Sequence, residues 1–126
     1  MNYKGVIIEE SLGNKDVLKL IKVLSTKVEK VTKSHQTLWL SQWTLHTVEI
    51  PEEKAELVAN QLSKDLETEH EWYADFKNSA SHYIIFRNKV FKVNRNKSEE
   101  YEVVKKYGIS LGIPDHQLDF SPDVQV

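Results

Sequence analysis

At 126 residues, with 40% hydrophobic and 29% charged side chains, the chain has the size and composition expected of one globular domain. It contains no cysteine, which rules out disulfides, thiolate metal sites and a cysteine nucleophile. A net charge of −2 argues against a constitutive polyanion binder.

The opening MNYKGVIIEESLGNK lacks the apolar run of a signal peptide. No window reaches the roughly eighteen apolar residues of a membrane span, so a cytoplasmic protein is expected. Residues 3–10, YKGVIIEE, predict a short β-branched strand that ends at the turn-like Leu12-Gly13-Asn14. Asn14-Lys15-Asp16 suits the opening of a single helical turn. From about 20 to 32, Val23, Val28 and Val31 recur among lysines and threonines, and the β-branched content predicts a strand. A helix over 15–31 is the rival reading, because Val17, Leu20, Ile21, Leu24 and Val28 also fit helical spacing.

Residues 37–50, TLWLSQWTLHTVEI, predict the next strand; apolar groups on both parities imply that both its faces are covered over part of its length. Pro51-Glu52-Glu53 suits a helix start, and Ala55, Val58, Ala59, Leu62 and Leu66 share one face of a helix over 51–67. Residues 70–94 then read as three strands with polar connections, and they hold six of the twelve aromatic residues. Asn96 and Glu99 have the spacing of a capping pair for a last helix over 97–107, and Gly108 fits a left-handed stop. The tail is expected to pack on the core to about residue 120 and to fray beyond it.

WYADFKN at 72–78, HYIIFRNKVFKVNR at 82–95 and KKYGISLGIPDHQLDF at 105–120 resemble segments of a family of small uncharacterised bacterial proteins. The resemblance spans roughly the C-terminal half. It implies a free-standing bacterial domain and brings no activity or cofactor with it.

The expected fold is α+β, a mostly antiparallel sheet of about six strands with two helices packed on one face, in the order β-β-β-α-β-β-β-α. A hairpin tip at Asn88-Lys89 would set Phe86 opposite Phe91, so that Ile84, Phe86, Phe91 and Val93 form one core face. Joining Trp72, Ala74 and Phe76 to that face requires a turn at Ser79-Ala80-Ser81, with Asn78 opposite His82. The opposite face would then carry Tyr73, Asp75, Lys77, Tyr83, Ile85, Arg87, Val90 and Lys92. In that register Tyr73 faces Arg87 and Lys77 faces Tyr83.

Tyr73, Asp75, Lys77, Tyr83, Arg87 and Lys92 are the candidate ligand-binding set: rings interleaved with cations stack a planar ligand while the cations hold an anionic group. The plainer alternative is a solvated sheet face with ordinary cross-strand pairs. Trp39, Trp43, His46 and Trp72, with Tyr73 and Asp75, are the residues of an alternative aromatic pocket. Trp39 and Trp43, four apart in a strand, also suit core packing or a subunit contact. The histidines His35, His46, His70, His82 and His116 are scattered, with no zinc-binding i, i+4 pair. A cluster of His46, His70 and His82 with Asp75 is the one conceivable acid–base or metal arrangement. Serine-nucleophile, phosphate-loop and dinucleotide fingerprints are absent.

These readings predict a small cytoplasmic binding or interaction module, a homo-oligomer without catalytic activity, metal or cofactor. The alternative is a small-ligand protein or enzyme built on the aromatic pocket. A nucleic-acid factor using Tyr73, Lys77, Tyr83, Arg87 and Lys92 is a third reading, weakened by Asp75 among the cations.

Overall fold

The computed structural model describes residues 1–30, 41–68, 72–113 and 118. Its strands are β1 (Tyr3–Ile8), β2 (Lys22–Lys30), β3 (Gln42–Ile50), β4 (Tyr73–Lys77), β5 (Ser81–Phe86) and β6 (Lys89–Asn94). They form one six-stranded sheet in the order β2-β3-β1-β4-β5-β6, and every pairing is antiparallel. Helix α1 (Ala55–Asp65) separates β3 from β4, and α2 (Ser98–Ser110) follows β6. The α+β class, the strand number and the element order are those read from the sequence. Among the described residues, no helix is long and apolar enough to cross a membrane.

The helices do not share a face, contrary to expectation. Alternate residues of a strand point to opposite sides of a sheet, and β5 sends Tyr83 and Ile85 one way and Ile84 and Phe86 the other. Tyr83 and Ile85 join a core with Val58, Ala59 and Leu62 of α1, together with Tyr3, Ile7, Val48, Ile50 and Phe76. Ile84 and Phe86 join a second core with Tyr101 and Val104 of α2, closed by Val93, Ile113 and Leu118. The β4–β6 region is therefore sandwiched between helices. The sheet thins out towards β2, eight of whose nine residues are exposed.

The strand reading holds over the described part, 15–30: a 3₁₀ turn at Asp16–Leu20 leads into β2, and residues 31 and 32 lie outside the described residues. An Asx turn at Asn14 leads into that 3₁₀ turn, the Asn14 Oδ1 accepting from the Asp16 N–H at 2.9 Å. Ahead of α1, Pro51 precedes a 3₁₀ turn at Glu52–Lys54, and the helix buries the predicted Ala55, Val58, Ala59 and Leu62. At the other end, α2 runs through Gly108 to Ser110, so Gly108 is not its stop. A Cβ at Gly108 would lie 2.7 Å from Leu118 Cδ2; the glycine makes room for the Leu118 side chain. The left-handed residue comes later, at Gly112 with φ +92°. Nor do Asn96 and Glu99 cap the helix. Instead the Glu100 carboxylate accepts from the Asn94 N–H at 3.0 Å.

β1 lies in the middle of the sheet, and Gly5 lets it approach β4. A Cβ there would stand 2.4 Å from the Asp75 carbonyl oxygen and 2.8 Å from Phe76 Cβ. The atoms it would meet are β4 backbone and the first carbon of a buried side chain, which leave no room to yield. Gly5→Ala should therefore destabilise the fold by about 1–3 kcal/mol, the usual range for overpacking. Urea denaturation read by tryptophan fluorescence tests this; an unchanged midpoint would contradict the close approach.

Candidate functional site

The turn between β4 and β5 decides which side chains meet. The carboxamide Oδ1 of Asn78 accepts from the N–H groups of Ala80 and Ser81 at 2.9 and 2.8 Å, while its own N–H donates to the Ser81 carbonyl at 3.0 Å. This side-chain-capped turn closes the loop one position earlier than expected. Lys77 pairs with His82 and Tyr73 with Phe86, not Tyr83 and Arg87. A one-residue slip reverses a whole strand, so Trp72, Ala74 and Phe76 join the α1 core, and Tyr73, Asp75 and Lys77 turn towards α2.

The β5–β6 hairpin also differs from expectation. Its loop residues are Arg87 and Asn88, with Phe86 opposite Lys89 and Ile84 opposite Phe91. Asn88 takes the left-handed conformation, φ +62°, which asparagine tolerates, and its N–H donates to the Ser63 carbonyl of α1 at 2.9 Å. Relative to the expected register the shift is two residues, so every β5 and β6 side chain keeps its predicted side. Phe86 is fully buried and Arg87 exposed.

The new register of β4 sets Asp75 beside His82. His82 is fully buried, and its Nε2 lies 2.7 Å from Asp75 Oδ2. On its other side Nδ1 lies 3.0 Å from the Tyr101 hydroxyl, which also takes a hydrogen bond from Arg95. Arg95 in turn donates through Nη1 to the Asn78 carbonyl at 2.6 Å. With a neutral imidazole the directions follow from the partners. Arg95 donates to Tyr101, Tyr101 donates to Nδ1, and Nε2–H donates to the carboxylate. The chain ties β4, β5, the segment after β6 and α2 together. The Asp75 side chain keeps 30% of its exposure and His82 none, so solvent meets the chain at its carboxylate end.

A second polar group lies on the other side of the sheet. His46 Nδ1 is 2.9 Å from Thr26 Oγ1 across the strand pair, and its Nε2 is 3.2 Å from Glu9 Oε1. Lys15 Nζ stands 3.6 Å from the other oxygen of Glu9. Next to it, Glu10 accepts from the Thr44 N–H and Oγ1 at 2.6 and 2.8 Å. Partial burial pushes the Glu10 carboxyl up, but the Thr44 bonds outweigh that and hold it below the usual carboxylate range.

The six candidate ligand residues are thus divided. Tyr73, Asp75 and Lys77 lie on the α2 side, where the Tyr73 ring packs 5.9 Å from Phe86. Tyr83 and Lys92 lie on the α1 side, with Lys92 Nζ 5.6 Å from the centre of the Tyr83 ring, and the ring itself is buried against Tyr3 and Phe76. Arg87 stands apart in the hairpin loop. In the alternative pocket, Trp43 and Trp72 meet edge to face at 6.0 Å, Trp72 Nε1–H donates to Glu67 at 3.1 Å, and His46 turns to the other side of β3. Trp39 lies outside the described residues, as do His35, His70 and His116. Of the conceivable histidine cluster, His82 and Asp75 meet and His46 does not join them. Among the described residues, no group of three histidine or carboxylate side chains is placed to hold a metal ion.

A shallow cleft of about 320 Å³ lies at the β6–α2 corner, lined by Ala80, Ser81, Lys92, Val93, Asn94, Asn96 and Glu100. Lys92 is the one candidate ligand residue among them.

Comparison with protein-family models, curated proteins and solved structures gives no match. The chemistry must be read from the geometry alone. The Arg95–Tyr101–His82–Asp75 chain is not legible in the sequence because Tyr101 falls within the expected last helix and Arg95 just after the expected strands, with no local pattern to single out either. The signal that existed was the pair Asp75 and His82, each near the tip of one hairpin.

Truncating His82 should remove the buried group that joins the Tyr101 hydroxyl to the part-exposed Asp75 carboxylate and leave a cavity between them. His82→Ala is expected to cost about 2–4 kcal/mol by chemical denaturation. A cost below about 0.5 kcal/mol would remove the structural role given to the chain. Alkaline pH supplies a second test. Burial pushes the hydroxyls of Tyr101 and Tyr83 above the usual phenol value; Arg95 offsets this in part at Tyr101 and Lys92 at Tyr83. The fold thus favours neutral phenols. That stabilisation is complete below about pH 10 and is lost as the pH rises through the raised values. Denaturation midpoints at about pH 8 and pH 11 should differ, and Tyr101→Phe should shrink the difference; an equal difference in the variant would count against it.

Proposed function

We propose that the protein is a small interaction module without catalytic machinery of its own, acting through the outer strand β2. The observation that carries this reading is the state of that strand. β2 ends the sheet and is nine residues long, and Val23, Leu24 and Val28 on it are 40%, 43% and 57% exposed. A long outer strand with apolar side chains presents unpaired backbone groups as a template for another strand. Addition of a strand to such an edge is a recurrent mode of protein recognition. A homo-oligomer is one assembly that uses it.

The small-ligand or enzyme reading has less support. Of its described aromatic residues, Trp43, Trp72 and Tyr73 are engaged in core contacts, and His82 is closed off from solvent. The nucleic-acid reading needed Tyr73, Lys77, Tyr83, Arg87 and Lys92 on one surface, and the register divides them between two faces and a loop.

The test is a photoreactive phenylalanine analogue at position 28, in the cell that naturally makes the protein. An adduct of defined mass is expected from position 28 and none from position 57, an equally exposed site on α1. Val28→Lys should abolish association while changing stability by less than about 0.5 kcal/mol, as surface substitutions do. No adduct of any mass from position 28 would end the interaction reading.

A further inference from the structure

We infer that the outer edge of β2 pairs with the β2 edge of a second copy of this chain, antiparallel, about a two-fold axis through Thr26. The inference rests on the interaction-module reading and names its partner.

The argument starts from a bulge. Val23 pairs with Val48 and Ser25 with Thr47, so Leu24 is an extra residue that stands out of the ladder. One consequence concerns the sides of the strand. Val23, Thr26 and Val28 lie on the side of Val48, His46 and Thr44. Lys22, Ser25, Lys27 and Glu29 lie on the side of Glu49, Thr47, Leu45 and Trp43. Two copies extending one sheet across a two-fold axis keep their faces aligned, so each paired residue must share a side with its partner.

Centred on Thr26, this condition holds along the strand. Thr26 faces its own copy, and Ser25 faces Lys27. Because Leu24 is skipped, Val23 then faces Val28 of the second copy and Lys22 faces Glu29. Every interface would hold two valine pairs and two lysine–glutamate pairs, the kinds of cross-strand neighbour that stabilise a sheet. Without the bulge the same centre would set Val23 opposite Glu29 and Lys22 opposite Lys30. Centring on Lys27 sets that lysine against itself, and centring on Ser25 sets Lys27 against Lys22. Centring on Val28 pairs Lys27 with Glu29, but it covers only Thr26–Lys30 of the described strand and leaves Val23 and Leu24 outside.

The absence of native cysteine makes the register directly readable. Single-cysteine variants at 26, 28 and 57 are oxidised mildly and run on a non-reducing gel. Thr26→Cys should give a disulfide-linked dimer, since directly opposed residues lie about 4.5–5.5 Å apart. In that register the two copies of residue 28 are roughly 14 Å apart, so Val28→Cys should not cross-link, and nor should Leu57→Cys. By sedimentation, Glu29→Lys should weaken association about tenfold or more, and adding Lys22→Glu should restore it. A monomer at all concentrations with no Thr26→Cys dimer would overturn the inference; cross-linking through Val28→Cys instead would overturn the register. A position-28 photoadduct with a protein of different mass, without dimer, would reject the second copy and leave the interaction reading standing. No adduct and no dimer would reject both.

Discussion

The parity of β4 governs most of what this sheet can do, and one carboxamide sets it. With Asn78 closing the turn on Ala80 and Ser81, Asp75 is carried to His82 and Phe76 to the α1 core. Reversing that strand would put a carboxylate and a lysine among Ile7, Val48 and Leu62 and turn a phenylalanine towards the polar chain. Each misplacement costs several kcal/mol, far more than the turn itself contributes. The turn and the two cores therefore select the same register, and neither could be altered alone.

A helix on each face changes the meaning of the aromatic and charged residues in 70–94. With both helices on one side, Tyr73, Tyr83, Arg87 and Lys92 would have formed an open surface. With α1 and α2 on opposite sides, Tyr83 becomes a core ring capped by Lys92, and Tyr73 packs on Phe86. The polarity in this region satisfies buried groups. Openness lies at the other end of the sheet, where among the described residues neither α1 nor α2 joins a core with β2.

Much of the architecture was legible. The period-two patterns and the apolar stripe of α1 are local, and local signals survive folding; the helix itself begins at Ala55, after a 3₁₀ turn that follows Pro51. The sides of β5 and β6 were legible too, because Phe91 and Val93 alternate with Lys92 and Asn94 and the short hairpin carries Ile84 and Phe86 to their face. β4 was ambiguous for a physical reason. Trp72, Ala74 and Phe76 alternate with Tyr73, Asp75 and Lys77, and a strand covered on both faces accepts large residues on either parity. Gly108 was misread because a glycine that avoids a distant side chain has the same sequence appearance as one that ends a helix. The candidate site inherited the β4 ambiguity, and the exposed edge of β2 was unreadable before the strand order was known.

The order also assigns β1 an unusual duty. It is synthesised first among the six strands, yet its partners β3 and β4 emerge some forty and seventy residues later. The β2–β3 pair and the β4–β5–β6 meander are each closed by neighbouring segments and can form early, as two separate pieces. β1 is the seam that joins them, and its long-range pairings make it the slow, entropically expensive step. Until that seam closes, both pieces expose a raw edge on the side that β1 will occupy, so the nascent chain passes through a stage with more open strand edges than the finished sheet keeps.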